Sequence, residues 1–133
     1  MNIRKGRHVV HMMHVHLVFV TKYRRKVFES EQLDFLKGIF ESVCKDFECE
    51  LTEYNGEDNH VHLLVNYPPK VQVSKLVNSL KGVSSRRLAQ KYGRLHQWFY
   101  KGVLWSPSYF AGSVGGAPIS VLKQYIEQQN RPE

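Results

Sequence analysis

The spacing of apolar and polar residues predicts four strands and three helices in this chain. Apolar residues alternate with polar ones, as in a half-buried strand, at residues 14–20, 49–54, 60–67 and 104–111. Apolar residues recur at helical spacing at about residues 30–47, between Ser74 and Gly93, and from Pro118 to about Gln129. The elements therefore follow the order strand, helix, strand, strand, helix, strand, with one more helix at the end.

This order of elements is typical of the ferredoxin-like fold, which is also called RRM-like. We therefore predict an α+β protein in which helices cover one face of an antiparallel sheet, and a single domain over residues 1–133. Asn55-Gly56 is predicted to form the turn between the second and third strands. Residues 111–117, which contain three glycines, are predicted to be a linker that lets the last helix dock outside its own subunit.

Length and composition favour one globular domain and argue against a membrane protein. The chain has 133 residues, of which 42% are hydrophobic, enough for a single packed core. No apolar run reaches the roughly 18 residues of a membrane-spanning helix, so we expect no membrane partner. Cys44 and Cys49 are the only cysteines, and we interpret them as incidental thiols of a cytoplasmic protein.

Positive charge is concentrated in two clusters, which predicts a polyanionic partner. The chain has 19 Lys and Arg against 12 Asp and Glu, a net charge of +7. One cluster follows the first strand, and the other lies on the second helix, where serines add hydroxyl donors. Either cluster is also consistent with a solvated face that binds nothing. The candidate nucleic-acid contacts are Lys22, Arg24, Arg25, Lys81, Ser84, Ser85, Arg86 and Arg87.

Two histidines in the third predicted strand are candidate metal ligands. His60 and His62 are two residues apart, so both point to the same face of that strand. Neutral imidazoles bind divalent metals, and acid and amide side chains lie just upstream at residues 57–59. The alternative is that these histidines only line the sheet surface. His14 and His16 have the same spacing on the neighbouring first strand, so all four are expected to share one face, but they lack nearby acids.

Tyr125 is a candidate nucleophile because of its position on the last predicted helix. Tyr125 and Gln129 are four residues apart and lie on the same helix face, so the Gln129 amide oxygen is a possible third metal ligand. A tyrosine that attacks a phosphodiester forms a phosphotyrosine and frees a 3′ hydroxyl. The hydroxyl has a free pKa of about 10, so it must be activated. The alternative is a half-buried aromatic that packs beside Leu122 and Ile126.

Five segments of the chain, in order, resemble the single-tyrosine HUH transposases of the insertion-sequence-200 type. Together they cover the chain almost end to end, and five matching segments are more specific than either catalytic motif alone. The segments are His16–Lys26, Asn59–Leu64, Leu76–Gly82 with Ser84–Arg86, Leu104–Phe110, and Tyr125–Gln129.

The resemblance implies a mechanism and an assembly. Such enzymes are homodimers whose active sites are shared between subunits, and they cleave and rejoin single-stranded DNA at hairpin-bearing element ends through a 5′-phosphotyrosine. His60 and His62 match the family's histidine pair, Tyr125 matches the nucleophile and Gln129 the third metal ligand. The implied cofactor is Mg²⁺ or Mn²⁺.

Two other functions remain open at this point. One is a non-catalytic RRM-like nucleic-acid-binding module, although the predicted open sheet face carries histidines where such modules carry stacking aromatics. The other is an HUH nickase of the replication-initiator or relaxase type. A covalent DNA adduct that depends on Tyr125 separates an enzyme from a binding module, and joining of element ends separates a transposase from a nickase.

Overall fold

The structure, a computed structural model, describes residues 4–5, 10–11, 13–93, 103–113 and 126–128. Its strands and α-helices in chain order are β1 (Arg4–Lys5), β2 (Val10–His11), β3 (His14–Val20), α1 (Ser30–Asp46), β4 (Glu50–Glu57), β5 (His60–Asn66), α2 (Val73–Lys91) and β6 (Phe110–Ser113).

Four of these strands form an antiparallel sheet in the order β4-β5-β3-β6. Strands β3 and β5, which lie in the middle, are not consecutive in sequence, because α1 and β4 intervene. This strand order and the two helices between strands are those of the predicted ferredoxin-like fold, which is therefore confirmed. Strands β1 and β2 pair with each other in a separate two-stranded antiparallel sheet.

One face of the sheet packs against both helices and forms the hydrophobic core. Leu17 and Phe19 of β3 are fully buried there, together with apolar residues of α1 and α2. The Phe19 ring contacts the edge of Phe40 on α1, with ring centroids 6.1 Å apart, and lies 5.8 Å from the ring of Trp105. Because side chains alternate across a strand, the neighbouring residues of β3 point to the opposite face.

Helix α1 begins at Ser30 because Glu29 and Gln32 form a capping box. The Glu29 amide donates to the Gln32 side-chain oxygen at 2.9 Å, and the Glu29 side chain accepts from the backbone of Gln32 in return. Both ends of this exchange satisfy amide groups that the first helical turn cannot pair. The capping box therefore determines the residue at which the loop after β3 ends and α1 begins.

The predicted turn at Asn55-Gly56 is wrong, because both residues lie within strand β4. The two-residue turn is instead formed by Asp58 and Asn59. A Cβ atom on Gly56 would lie 2.7 Å from Cδ2 of Leu33 on α1, closer than real contacts allow. The glycine therefore eases the close approach of α1 to β4 and does not form a turn, since a Cβ there would force the Leu33 side chain to shift and would lie 3.2 Å from the His60 carbonyl oxygen.

The predicted fourth strand and the start of the predicted linker also need correction. Strand β6 covers Phe110–Ser113, so residues 111–113 pair with β3 and are not linker. Before it, Trp105 makes only a single bridge to Thr21. Pro107 has no amide hydrogen for a sheet ladder, which accounts for the irregular stretch. The rest of the predicted linker, residues 114–117, lies outside the described residues.

Both cysteines are buried, and they form no disulfide with each other. Burial raises the pKa of Cys44 to about 12, so its reactive thiolate form is scarce near neutral pH. Within the described residues, no helix is both long enough and apolar enough to cross a membrane.

Candidate functional site

The sheet face opposite the helices carries four histidines from the two central strands. Residues directly opposite each other in an antiparallel pair share a face. In the antiparallel pairing of β3 with β5, each histidine lies directly opposite one residue of the other strand. The pairs are His60 with Val20, His62 with Val18, His16 with Leu64 and His14 with Asn66. The prediction that the four histidines share one face is therefore confirmed.

The His60 ring is held by the residue that precedes it. Nδ1 of His60 lies 2.8 Å from the Oδ1 atom of Asn59, a buried residue. An amide oxygen only accepts, so Nδ1 is the donor and Nε2 retains its lone pair. Burial lowers the pKa of His60 below 6.5, partly offset by the negative charges of Glu57 and Asp58, while the positive charge of Arg24 lowers it further. The ring is therefore neutral near pH 7.

The His62 ring contacts His16. Nε2 of His62 lies 2.9 Å from Nδ1 of His16, and the two rings stack with centroids 5.1 Å apart. One of these two nitrogens donates the hydrogen bond and the other accepts it, so only one of the two carries a proton. Burial lowers the pKa of His62, and the nearby His16 and His60 lower it further. The negative charge of Glu53 raises this pKa and partly offsets the decrease. His62 is thus also a neutral imidazole near pH 7.

His16 is the functional-site neighbour that the sequence interpretation left out. The signal that could have found it is the strand register. His62 lies opposite Val18, and His16 is two residues before Val18 on the same face of β3. His14 has a different environment, because its Nε2 lies 3.1 Å from Nδ2 of Asn66 and both residues are buried. His14 therefore belongs to the packed end of the sheet.

The donor atoms present fit a divalent metal ion, although they do not complete a site. His60 and His62 supply neutral rings from one face of one strand, and Nε2 of His60 has its lone pair unprotonated. Across the described ranges, no cluster of three or more His, Cys, Asp or Glu side chains is placed to hold a metal. Tyr125 and Gln129 lie outside the described residues, and only residues 126–128 of the last predicted helix are described, as helix.

The first basic cluster lies next to His60. After β3, Lys22–Arg24 form a single 3-10 turn in which Tyr23 and Arg24 have positive φ angles of 58° and 54°. The backbone amide of Thr21 donates to the carbonyl of Asn59 at 2.9 Å, which attaches this turn to the histidine strand. Nε of Arg24 is buried and has no hydrogen-bond partner among the residues that the structure describes. A cation held beside neutral imidazoles is well placed to meet a phosphate.

In the second cluster, two predicted DNA contacts have structural roles. Ser84 is fully buried, accepts a 3.0 Å hydrogen bond from Nε1 of Trp105 and donates one of 3.1 Å to the carbonyl of Lys81. The prediction that Ser84 contacts nucleic acid is therefore wrong, because the helical spacing alone did not show which face was buried. The Lys81 ammonium donates to the Ser106 carbonyl at 2.7 Å, and burial lowers its pKa.

The remaining members of the second cluster are accessible. Arg86 and Arg87 are exposed and Ser85 is half-buried. The Arg87 guanidinium lies 5.8 Å from the centre of the Phe35 ring, so its stem packs on α1 while its charge reaches water. Helix α2 covers the core face of the sheet, so these side chains lie on the side of the molecule opposite the histidines.

The comparisons with known proteins decide between the remaining functional classes. Residues 9–129 match the family described as "Transposase IS200 like". The chain belongs to this family of IS200-like transposases. The resemblance seen in the sequence is thus confirmed, and so, at the level of the family, is the predicted function of a single-stranded DNA transposase. As a transposase, the protein is a DNA-cleaving enzyme with DNA as its partner.

Named relatives of this IS200-like transposase cover most or all of the chain. The ISDra2 transposase TnpA of Deinococcus radiodurans is 32% identical over 133 residues, which is all of this chain and 95% of that protein. The transposase for insertion sequence element IS200 of Salmonella typhimurium is 31% identical over 114 residues, 86% of this chain and 74% of that protein.

Solved structures show the same fold as this IS200-like transposase. A crystal structure of a Deinococcus radiodurans protein assigned as a transposase superimposes with a TM-score of 0.86 at 34% identity, covering 95% of this chain and 97% of that one. A REP-associated tyrosine transposase bound to a REP hairpin superimposes with a TM-score of 0.57 at 14% identity, covering 93% of this chain and 68% of that one. The second likeness concerns the fold alone.

Proposed function

We propose that this transposase cleaves and rejoins single-stranded DNA at the ends of an insertion sequence through a 5′-phosphotyrosine on Tyr125. The observation that carries the proposal is the pair of neutral imidazoles, His60 and His62, on the sheet face opposite the helices. This pair lies beside a basic turn in a chain of the IS200-like family. Neutral metal ligands next to cations suit chemistry at a phosphodiester.

The covalent step assigned to Tyr125 is balanced without an external energy source. The tyrosine hydroxyl gives up its proton and its oxygen forms a bond to phosphorus, the bond from phosphorus to the 3′ oxygen breaks, and that oxygen takes up a proton, so that no net proton is gained or lost. The phosphotyrosine retains the energy of the original phosphodiester, so a 3′ hydroxyl can later attack it and release the tyrosine. Rejoining therefore needs no ATP.

The metal assigned to this site is Mg²⁺ or Mn²⁺, with His60, His62 and Gln129 as its protein ligands. When bound, the ion would withdraw charge from the scissile phosphate. The chain's own part is to present neutral imidazoles near pH 7, consistent with the lowered pKa values of both histidines. Nε2 of His60 has an available lone pair, whereas Nε2 of His62 would have to leave Nδ1 of His16 before it could bind the ion. Because imidazole suits Mn²⁺ better than the harder Mg²⁺, we expect Mn²⁺ to bind more tightly.

The proposal is tested with end-labelled single-stranded DNA that carries the element end. The protein and Mn²⁺ are added, and the products are separated on a denaturing gel. We expect a DNA–protein adduct that disappears with chelator and with Tyr125→Phe but persists with Tyr67→Phe, a matched loss of one hydroxyl at a half-buried position. Intact binding without any adduct on a verified end would instead favour a binding module. Nicking without joining of two ends would favour a nickase.

We also propose that the protein works as a homodimer whose sites combine His60 and His62 of one subunit with Tyr125 of the other. The test mixes two inactive variants, His60→Ala and Tyr125→Phe, and measures adduct formation. In a shared arrangement, each mixed dimer contains one site with both defects and one intact site, so activity returns. If each subunit supplied its own tyrosine, every site would carry one defect and the mixture would stay inactive.

A further inference from the structure

We propose that Asn59 is a positioning residue for the metal ligand His60, and this inference rests on the proposed function. Asn59 keeps the His60 proton on Nδ1 and fixes the plane of the ring, so that Nε2 is always available as a ligand. The sequence showed Asn59 only as one polar residue near the histidines. The structure assigns it a defined partner atom.

The contact between the two side chains is short and sheltered from water. Oδ1 of Asn59 lies 2.8 Å from Nδ1 of His60, and Asn59 is only 7% exposed. The Oδ1 atom cannot donate, so the hydrogen bond forms only when Nδ1 carries the proton. In a neutral imidazole, this choice leaves the other nitrogen, Nε2, unprotonated.

Asn59 itself cannot easily move away from this position. Its backbone carbonyl accepts a 2.9 Å hydrogen bond from the amide of Thr21, at the end of β3. The preceding carbonyl, of Asp58, accepts from the amides of Val27 and Phe28 at 2.8 and 2.9 Å. Hydrogen bonds from the segment after β3 thus hold the backbone of the two-residue turn in place. The backbone of Asn59, from which its side chain extends, is therefore fixed.

The physical consequence is an increase in metal affinity. Without the bond to Asn59, the His60 ring would populate the other tautomer, in which Nε2 carries the proton, and would rotate more freely. Metal binding would then have to move the His60 proton from Nε2 to Nδ1 and fix the orientation of the ring, and both costs would reduce the affinity. Outer-shell partners of this kind typically change metal affinity by about 10- to 100-fold.

Three variants of the full-length protein test this role. Asn59→Ala removes the acceptor, Asn59→Asp keeps an oxygen acceptor of similar size, and Asn78→Ala alters an exposed asparagine on α2 as a matched control. Two quantities are measured: Mn²⁺ affinity by calorimetry, and the position of the ring proton of His60 by ¹⁵N NMR in metal-free protein. Thermal unfolding checks that each variant is folded.

We expect Asn59→Ala to weaken Mn²⁺ binding about 10- to 100-fold and to lose the Nδ1 proton signature. Asn59→Asp should bind at least nearly as tightly as the parent, and Asn78→Ala should match it. A merely structural role would lower the unfolding temperature of Asn59→Ala but leave the affinity of its folded fraction unchanged, and that result would overturn the inference.

The NMR measurement separates this inference from the proposed function. If the parent protein forms no adduct and binds no Mn²⁺, the proposed function fails, yet the His60 tautomer still reports on Asn59. A parent protein whose His60 carries its proton on Nε2 would refute the role of Asn59 even if the enzyme were active. Should Asn59→Ala not fold, the His60 tautomer of the parent protein decides the matter: a proton on Nδ1 supports the role, and a proton on Nε2 overturns it.

Discussion

Replacing Ser84 with alanine should destabilise the protein without weakening the binding of DNA to its folded form. Ser84 lies on α2, where the sequence suggested a DNA contact, but its hydroxyl is fully buried. It accepts the hydrogen bond of the Trp105 indole nitrogen at 3.0 Å, and Trp105 is 4% exposed. In Ser84→Ala the indole N–H would remain buried without an acceptor.

The size of the effect follows from this lost acceptor. A buried donor without a partner costs about 1–3 kcal/mol, and the small cavity left by the hydroxyl changes this little. With 133 residues and an unfolding entropy of about 2.1 cal/mol/K per residue, each kcal/mol lowers the melting temperature by about 4 °C. We therefore expect Ser84→Ala to melt about 4–11 °C below the parent protein.

The assay pairs thermal unfolding with single-stranded DNA binding at a temperature where every variant is folded. Ser85→Ala is the matched control, because Ser85 is the next residue on α2 and is only half-buried. It should melt within about 2 °C of the parent, as expected for a substitution that removes no buried bond. The reasoning would be refuted if Ser84→Ala kept its melting temperature and lost DNA affinity, since the hydroxyl would then serve the DNA and not the indole.

Three further perturbations have expected outcomes. Gly56→Ala should lower the free energy of unfolding, measured in urea, by about 1–3 kcal/mol, because the new Cβ would lie 2.7 Å from the Leu33 side chain. The control Gly38→Ala, whose Cβ would meet nothing within 4 Å, should raise this free energy slightly. Equal effects of the two substitutions would contradict close packing at Gly56. Because the pKa values of His60 and His62 are lowered from 6.5, the unfolded chain binds more protons just below that pH. The urea midpoint should therefore fall as pH decreases from about 7 to 5, and a midpoint that rises would be inconsistent with neutral buried rings. Lys81→Met should cost about 1–2 kcal/mol and speed exchange of the Ser106 amide, which is bonded to the Val20 carbonyl, because the Lys81 ammonium donates to the Ser106 carbonyl at 2.7 Å; unchanged exchange at Ser106 would show that the lysine does not hold this segment.

The fold and the histidine face were predictable because they depend on local periodicity. A period of two placed His60 and His62 on one face, and the order of elements predicted the ferredoxin-like sheet that the structure contains. Strand neighbours in that fold also predicted that His14 and His16 would share the face. What periodicity could not supply was the contact between the rings of His16 and His62, which depends on the register of strands far apart in sequence.

The errors arose where a distant residue overrides a local preference. Asn55-Gly56 favours a turn on its own, but the strand continues through both residues, and Gly56 leaves room for the Leu33 side chain of α1. Ser84 has the residue type of a phosphate contact, but Trp105, 21 positions away, uses its hydroxyl. The roles of Tyr125 and Gln129 remain predictions.

The hydrogen bonds that join the segment after β3 to the histidine turn are made by backbone atoms. The amides of Thr21, Val27 and Phe28 donate to the carbonyls of Asn59 and Asp58. Side chains between these anchors can therefore differ from one transposase to another while the strand end that carries His60 and His62 stays in place. Lys22, Arg25 and Lys26 are thus positions at which a randomised library is expected to change DNA preference, whereas Arg24 is kept because its charge acts on His60.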